Sequence, residues 1–276
     1  MMKLIADSSA NLTMLEGVTY QSVPMTIRAG ERDFVDDETL DTHELLDYLA
    51  AHNGKSGTAC PSLDGWLKAF EGADEIFVIT ITSSLSGTCA SAMAARDVYL
   101  QSHPEVKIHI FDTLSTGPEM QLLAEKLAEL HAKGLPFDVI CEKAQEYLAT
   151  THLFFSLKSL HNLAQNGRVS KIAAGAIGIL GIQILAKASE QGTIEPVEKC
   201  RGDKKARNAL VDEMYRFGYR GGKVRIHHAE NPETAGALAA ALRDRFPWTE
   251  IEIRPCTGLC SYYAERGGVI VGFETA

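Results

Sequence analysis

Between Thr82 and Thr88 the chain reads Thr-Ser-Ser-Leu-Ser-Gly-Thr, five hydroxyls and one glycine in seven residues. The window follows the apolar run "EIFVIT" and leads into the Ala-rich "CASAMAAR". It therefore sits between a predicted strand and a predicted helix. The first N–H groups of a helix lack internal partners, and the helix dipole favours an anion there. Ser86 can add a hydroxyl, and Gly87 lets a ligand approach the backbone. Such neutral donors suit a carboxylate or a phosphate. Serine also caps helices in the absence of any ligand, so capping and anion binding are both open from this window.

Other residues with chemical potential are scattered along the chain. Thr58, in "GTACPS", reads as a loop hydroxyl that either turns the chain or faces a ligand. Arg168, in "NGRVS", lies just past a predicted helix C-terminus, as a solvated cation or as a partner for an anion. Use of Ser86 as a nucleophile would require a base within hydrogen-bond reach. No G-x-S-x-G elbow is present, and no His can be tied to Ser86 by position. A hydrolase or transferase acting on a small acyl or anionic substrate through Ser86 is kept as the alternative reading. Cys256 and Cys260 are spaced C-x3-C without a second Cys pair or a His pair at zinc spacing, so no metal is expected. His227-His228 ends a predicted strand, which sends one of the two toward the core or a cleft. From Lys199 to Arg207 five of nine residues are basic, Arg201, Lys204 and Lys205 among them. They form either a solvated face or a docking surface for an acidic partner.

The elements that must position these residues follow from pattern and punctuation. "KLIAD", "EIFVIT" and "KIHIFDT" read as buried strands. Strand-like runs flank Ala29-Gly30, whose turn chemistry predicts a hairpin. Asp41, with Glu44 three residues on, predicts a helix start, and Ser62 predicts another for a helix bearing Leu63, Trp66, Leu67 and Phe70. Helices are expected over Ser86–Gln101, over an amphipathic segment ending at Gly134, and over "FDVICEKAQEYLATT". This alternation predicts an α/β domain with a mainly parallel sheet over residues 1–155, whose ligands would sit at the C-terminal ends of the strands. Residues 156–276 read as an α+β domain with a mainly antiparallel sheet and helices. There a short helix closes at Asn166-Gly167, and two strands join around "SEQG".

Composition narrows the classes. The chain has 276 residues, 45% hydrophobic and 23% charged, enough for two soluble globular domains. A net charge of −9 argues against nucleic acid or an anionic membrane as the main partner. Asp7 arrives too early for a secretory apolar region, and six Cys show no disulfide framework. A cytoplasmic setting is expected. The apolar run Ile172–Ala188 holds three glycines, Gln183 and Lys187, so a buried element is expected rather than a membrane span. No nucleotide-binding loop of the G-x-x-x-x-G-K-[ST] or G-x-G-x-x-G type is present.

In series, these pieces resemble the DegV family of fatty-acid-binding proteins, the FakB-type subunits of bacterial fatty acid kinase. The resemblance is carried by "IADSSANL", "TACPS", "SSLSGTCASA", "FDTLSTG", "SLHNLAQNGRVS" and "GTIEPVEKCRGDKKA", in the family's order over nearly the whole chain. It implies that Ser86 and Thr58 grip the carboxylate of a buried long-chain fatty acid, helped by the Gly87 N–H, with Arg168 near the head group. The acyl chain would run in a tunnel between the domains, with the Gly/Ala/Ile-rich "AAGAIGILGIQI" as one wall. Arg201, Lys204 and Lys205 match a region implicated in docking the kinase catalytic subunit, which supplies the ATP chemistry. The protein itself would be a carrier needing no cofactor, with at most transient membrane contact. At the C-terminal end the chain departs from the family pattern T-H-T-G-P-G. Cys256 stands at the position of the family's head-group His, followed by Thr257 and by Leu259-Cys260 in place of Pro-Gly, and the resemblance implies that Cys256 and Thr257 meet the ligand. Together with Cys60 and Cys89, these thiols are expected around the pocket, either filling space or making it redox- or metal-sensitive or selective for a different lipid.

Overall fold

The structure, a computed structural model, describes residues 1–169 and 181–275. Its first half is built on a four-stranded sheet of β1 (Met2–Asp7), β2 (Thr19–Val23), β6 (Glu75–Thr80) and β7 (Lys107–Asp112). The order is β2-β1-β6-β7 and every pairing is parallel. Parallel strands covered on both faces read as continuous apolar runs, which is why "KLIAD" and "EIFVIT" are recognisable. Alternate side chains serve opposite layers. Ile5, Ile76 and Val78 pack with Trp66 and Phe70 of α2 (Leu63–Phe70) and with α3 (Thr88–Leu100). Leu4, Phe77 and Ile79 pack with Met120, Leu123 and Leu127 of α4 (Pro118–Ala132) and with Ile140 of α5 (Phe137–Leu148). Trp66 and Phe70 are fully buried, each stabilising by roughly 1.5–3 kcal/mol or more through removal from water.

The hairpin expected at Ala29-Gly30 is present. β3 (Thr26–Ala29) and β4 (Arg32–Val35) pair antiparallel, with Gly30 at φ +61 in the turn. The capping expectations hold locally as well. Asp41 accepts from the N–H groups of His43 and Glu44 at the head of α1 (Thr42–Ala51), and Ser62 accepts from Gly65. Thr58 requires a correction. It lies on a strand, β5 (Ser56–Ala59), which is the third member of the small sheet β4-β3-β5. The segment Ser-Gly-Thr-Ala has no apolar alternation, and its strand form comes from pairing with β3, a tertiary effect that local pattern does not carry.

The second half is a six-stranded sheet in the order β10-β9-β8-β13-β11-β12. Its members are β8 (Thr151–Leu157), β9 (Ile182–Ala188), β10 (Ile194–Arg201), β11 (Gly222–His228), β12 (Thr249–Pro255) and β13 (Val269–Glu274). Only β11 and β12 run parallel, so the sheet is mainly antiparallel. The expected division between residues 155 and 156 falls inside β8, which pairs with β9 and β13. One face of this sheet carries α7 (Asp203–Arg216) and α8 (Pro232–Arg245). The other turns toward the first half, with the short α6 (His161–Gln165) and α9 (Gly258–Ala264).

α4 joins the two halves. Sequence reading makes it amphipathic, yet Pro118 through Ala124 are buried on every side, because the helix is packed between both sheets. A Cβ on Gly272 of β13 would lie 2.7 Å from the Glu119 nitrogen, so only glycine permits this approach. Farther along, the buried Arg225 donates to Glu125 at 2.6 and 2.7 Å and to Glu250 at 2.7 Å. Removing one member of such a buried set would leave a costly uncompensated charge.

Candidate functional site

A cavity lies where the C-terminal ends of β6 and β7 face the inner surface of the six-stranded sheet. This is the position at which open α/β sheets hold ligands. Its polar lining comes chiefly from the first half, through Thr58, Thr82, Ser86, Ser115 and Thr116. The opposite wall is hydrocarbon. Leu153, Phe155 and Leu157 point inward at the two-residue period of β8, while Phe154 packs against the far layer. Ile194, Ile270 and Ala188 continue that wall.

The hydroxyl-rich window is held from several sides. Asp7, at the end of β1, accepts from the Ile81 N–H at 2.7 Å and from the Ser9 N–H at 2.9 Å. Asp112, at the end of β7, accepts from Ser83 at 3.0 Å and Leu114 at 3.2 Å. Thr82 Oγ1 donates to the Gly192 carbonyl at 2.9 Å, and Ser84 Oγ donates to Gln191. Two of the five hydroxyls therefore clamp the tip of the β9–β10 hairpin over the cavity. Gly192 has φ +76, and a Cβ there would fall 2.2 Å from Thr82 Oγ1, so this contact demands glycine.

Ser86 and Thr88 form a second pair. Their hydroxyl oxygens are 2.8 Å apart, and the Thr88 N–H donates to Ser86 Oγ at 3.3 Å. The helix begins at Thr88, two residues later than expected, with exposed Gly87 as its N-cap and no side-chain cap bond. Ser86 is thus not the N-cap residue. Its hydroxyl lines the cavity, whereas Gly87 lies beside that wall without forming part of it. Among the described residues, no His, Lys or carboxylate hydrogen-bonds to Ser86.

Thr58 and Arg168 reach the same cavity from other elements. Thr58 Oγ1 is 2.9 Å from the Tyr263 hydroxyl of α9. Arg168 follows the turn at Gly167, which has φ +73, and its N–H donates to Leu163 at 2.7 Å. Its guanidinium donates from Nε to the Leu85 carbonyl at 3.0 Å and also to the Asn166 carbonyl. No carboxylate among the described residues forms an ion pair with it. Among the described residues the cavity lining thus carries hydroxyls from five segments, Thr193 and Tyr263 included, and the Arg168 cation.

Buried carboxylates support this frame from behind. Burial pushes the Asp7 carboxyl up to about 6, against the opposing effect of its hydrogen bonds from Ser9 and Ile81. Burial likewise raises Asp36, which accepts from the N–H groups of Gly258 at 2.7 Å and Leu259 at 2.9 Å and so fixes the start of α9 from 222 residues away. Glu119 is raised by burial and accepts from Thr151 at 2.6 Å. Both members of the His pair are buried. His227 meets Gln121 Oε1 at 2.8 Å, and burial lowers it to about 3, which keeps it neutral.

The remaining candidates are placed elsewhere. Cys256 belongs to the apolar cluster of Leu153, Phe155, Leu157 and Ile270 that walls the cavity, without lining it, and Thr257 borders a separate polar cleft with Ser8 and Asp36. Of the four thiols expected around the pocket, only Cys260 lines it; Cys60 is exposed and Cys89 lies in the α2–α3 core. Burial pushes the thiols of Cys256 and Cys260 well above the usual range, which favours the protonated form of both. Among the described residues no group of three or more His, Cys, Asp and Glu is placed to hold a metal ion. Arg201, Lys204 and Lys205 do come together, on a surface cleft shared with Glu198, Asp212 and Glu213, where Lys205 pairs with Glu198 at 3.2 Å. At about 3.3 Å per residue along β10, this surface is roughly 20 Å from the Ile194 end at the cavity. Of the proposed tunnel wall, residues up to Leu180 lie outside the described residues, and the part from Ile182 is strand β9. No described helix is long and apolar enough to cross a membrane. Tyr262, Tyr263 and Asp36 escaped sequence reading, since their partners are distant in the chain.

Comparison with known proteins gives consistent matches. The profile of the DegV family matches residues 1–275. A DegV domain-containing protein of Streptococcus pneumoniae is 42% identical over 276 residues, covering 99% of this chain and 98% of that relative. A DegV family protein from Eubacterium eligens, solved loaded with heptadecanoic acid, matches with a TM-score of 0.99 and 47% identity over 100% of both chains. The Fatty Acid Kinase (Fak) B3 protein of Streptococcus pneumoniae, loaded with linoleic acid, gives a TM-score of 0.98 at 42% identity, covering 100% of this chain and 99% of that one.

Proposed function

This chain belongs to the DegV family, and from that premise and its cavity we propose that it binds a long-chain fatty acid and presents it to a partner kinase. The observation that carries the reading is a single cavity walled by hydrocarbon and ended by Thr58, Ser86 and Arg168. The hydroxyls of Ser86 and Thr58, both in the cavity wall, would hold the carboxylate. Neutral donors spare most of the several kcal/mol that a desolvated ion pair costs. Arg168, already spending donors on two carbonyls, would give long-range attraction more than a locked bidentate bridge. One carboxylate oxygen stays free to attack the γ-phosphorus of ATP held by the partner, yielding an acyl phosphate and ADP. The cluster at Arg201, Lys204 and Lys205 is the proposed docking surface for that partner.

Support for a carrier over a Ser86-dependent hydrolase lies in the hydroxyl's partners. Ser86 bonds to Thr88 and, among the described residues, to no base. The test is to titrate the protein with heptadecanoic and linoleic acids, then add a fatty acid kinase catalytic subunit with ATP and magnesium and trap acyl phosphate with hydroxylamine. Hydroxamate should form only when all components are present. Arg201→Glu should slow its formation without changing acid binding. Tight acid binding with no hydroxamate would remove the presentation role and leave binding intact.

A further inference from the structure

Two consecutive tyrosines of α9 meet two same-face residues of β5, and their hydrogen bonds differ in one respect. Ser56 and Thr58 are two apart on the strand and so project to the same side. The Tyr262 hydroxyl is 2.8 Å from Ser56 Oγ, and the Tyr263 hydroxyl is 2.9 Å from Thr58 Oγ1. Around Tyr262 the chain of donors is closed. Asn166 Nδ2 donates to the Tyr262 oxygen at 2.8 Å, and Ser56 Oγ donates to Gln165 Oε1 at 3.0 Å. Tyr262 must therefore be the donor to Ser56, and every proton in that chain has an acceptor. Around Tyr263 the chain is open. Two hydroxyls contribute two protons, their mutual bond uses one, and no other acceptor among the described residues takes the second.

We infer that the Thr58–Tyr263 pair delivers one O–H donor into the cavity, which makes Tyr263 a further positioning residue of the carboxylate site. The count holds whichever oxygen donates within the pair. If Tyr263 donates to Thr58, the Thr58 proton is left for the ligand; if Thr58 donates, the phenol proton is left. Both residues line the cavity, so either proton has somewhere to go. The phenol ring is fixed for this task by an edge-on contact with Tyr262, whose ring centroid is 4.8 Å away at 77°. Tyr262 acts as the structural member of the pair and Tyr263 as the one that faces the ligand. The ligand chemistry that matches a donated proton is a carboxylate oxygen, so the inference rests on the fatty-acid reading and assigns it a residue.

The test compares heptadecanoic acid with the primary alcohol of the same chain length on wild type, Tyr263→Phe, Thr58→Val and the double variant. Tyr263→Phe keeps the ring and its packing, and its melting temperature should match wild type. Its affinity for the acid should fall about tenfold, the scale of one hydrogen bond to a charged group, while affinity for the alcohol changes less than about twofold. The double variant should lose no more than about twofold beyond Thr58→Val alone, because the two hydroxyls act as one unit. Equal losses for acid and alcohol, or an acid affinity in Tyr263→Phe equal to wild type, would overturn the inference. Failure of wild type itself to bind the acid would overturn the fatty-acid reading and this assignment together.

Discussion

The two walls of the cavity are made by different kinds of sheet, and they contribute different chemistry. The parallel sheet of the first half meets the cavity end-on, through the loops after β6 and β7, where strand ends release backbone groups and hydroxyls such as Thr82, Ser86 and Ser115. The antiparallel sheet of the second half meets it face-on, so alternate side chains of β8 present Leu153, Phe155 and Leu157 and no polar group. An amphiphile is the ligand shape such a pair of walls accommodates. Head-group recognition should then reside chiefly in the first half, with Arg168 and Tyr263 reaching in from the second, and chain selection on the second-half sheet.

This division can be broken most forcefully at the ionisable frame, where buried Asp7 holds the loop after β6 through the Ile81 N–H. Asp7 carries its carboxyl from the ordinary 3.8 up to about 6 on burial. Between those values the folded protein holds a proton that the unfolded chain has released, so stability falls as pH rises through the window. A displacement of that size corresponds to about 3 kcal/mol. Asp7→Asn should therefore gain roughly 3 kcal/mol relative to wild type between about pH 4 and about pH 7, read by denaturant unfolding at each pH. Parallel stability profiles for the two proteins would contradict this role.

Head-group recognition is tested next. Ser86→Ala should weaken heptadecanoic acid binding by about 2 kcal/mol, near thirtyfold, with little change for its methyl ester. An equal loss for both ligands would show that Ser86 acts through packing instead. The smallest effect belongs to the apolar wall. Ala188 lines the cavity at the end of β9, and Ala188→Leu adds volume there. Affinity for heptadecanoic acid should fall about tenfold, and an acid several carbons shorter should be nearly unaffected. Uniform weakening at all lengths would mean that the acyl chain does not run along β9.

The unequal legibility of the two walls in the sequence has the same origin. Residues 82–88 are local: strand, hydroxyls, glycine and helix follow one another, and the window pointed to its own chemistry. Even there, the commitment of Thr82 and Ser84 to the hairpin at Gly192 depends on contacts about a hundred residues away. Thr58 is legible as a hydroxyl, but its strand is not, because β5 is held in extended form by pairing with β3. The burial of α4 on all sides was hidden for a similar reason: its second partner, β13, comes at the end of the chain. Tyr263 lies 205 residues from Thr58, a pairing that periodicity cannot express. Cys256 and Thr257 show the converse. Motif position points both to the head group, whereas Cys256 packs in the cluster behind the cavity wall and Thr257 borders a different cleft.

The most direct measurement is mass spectrometry of the solvent extract from folded, purified protein, run beside Ser86→Ala prepared in the same way. The account predicts a long-chain fatty acid released in near-stoichiometric amount from wild type and depleted from the variant. A clean extract from well-folded wild type, or a lipid without a free carboxylate retained equally by both proteins, would contradict it.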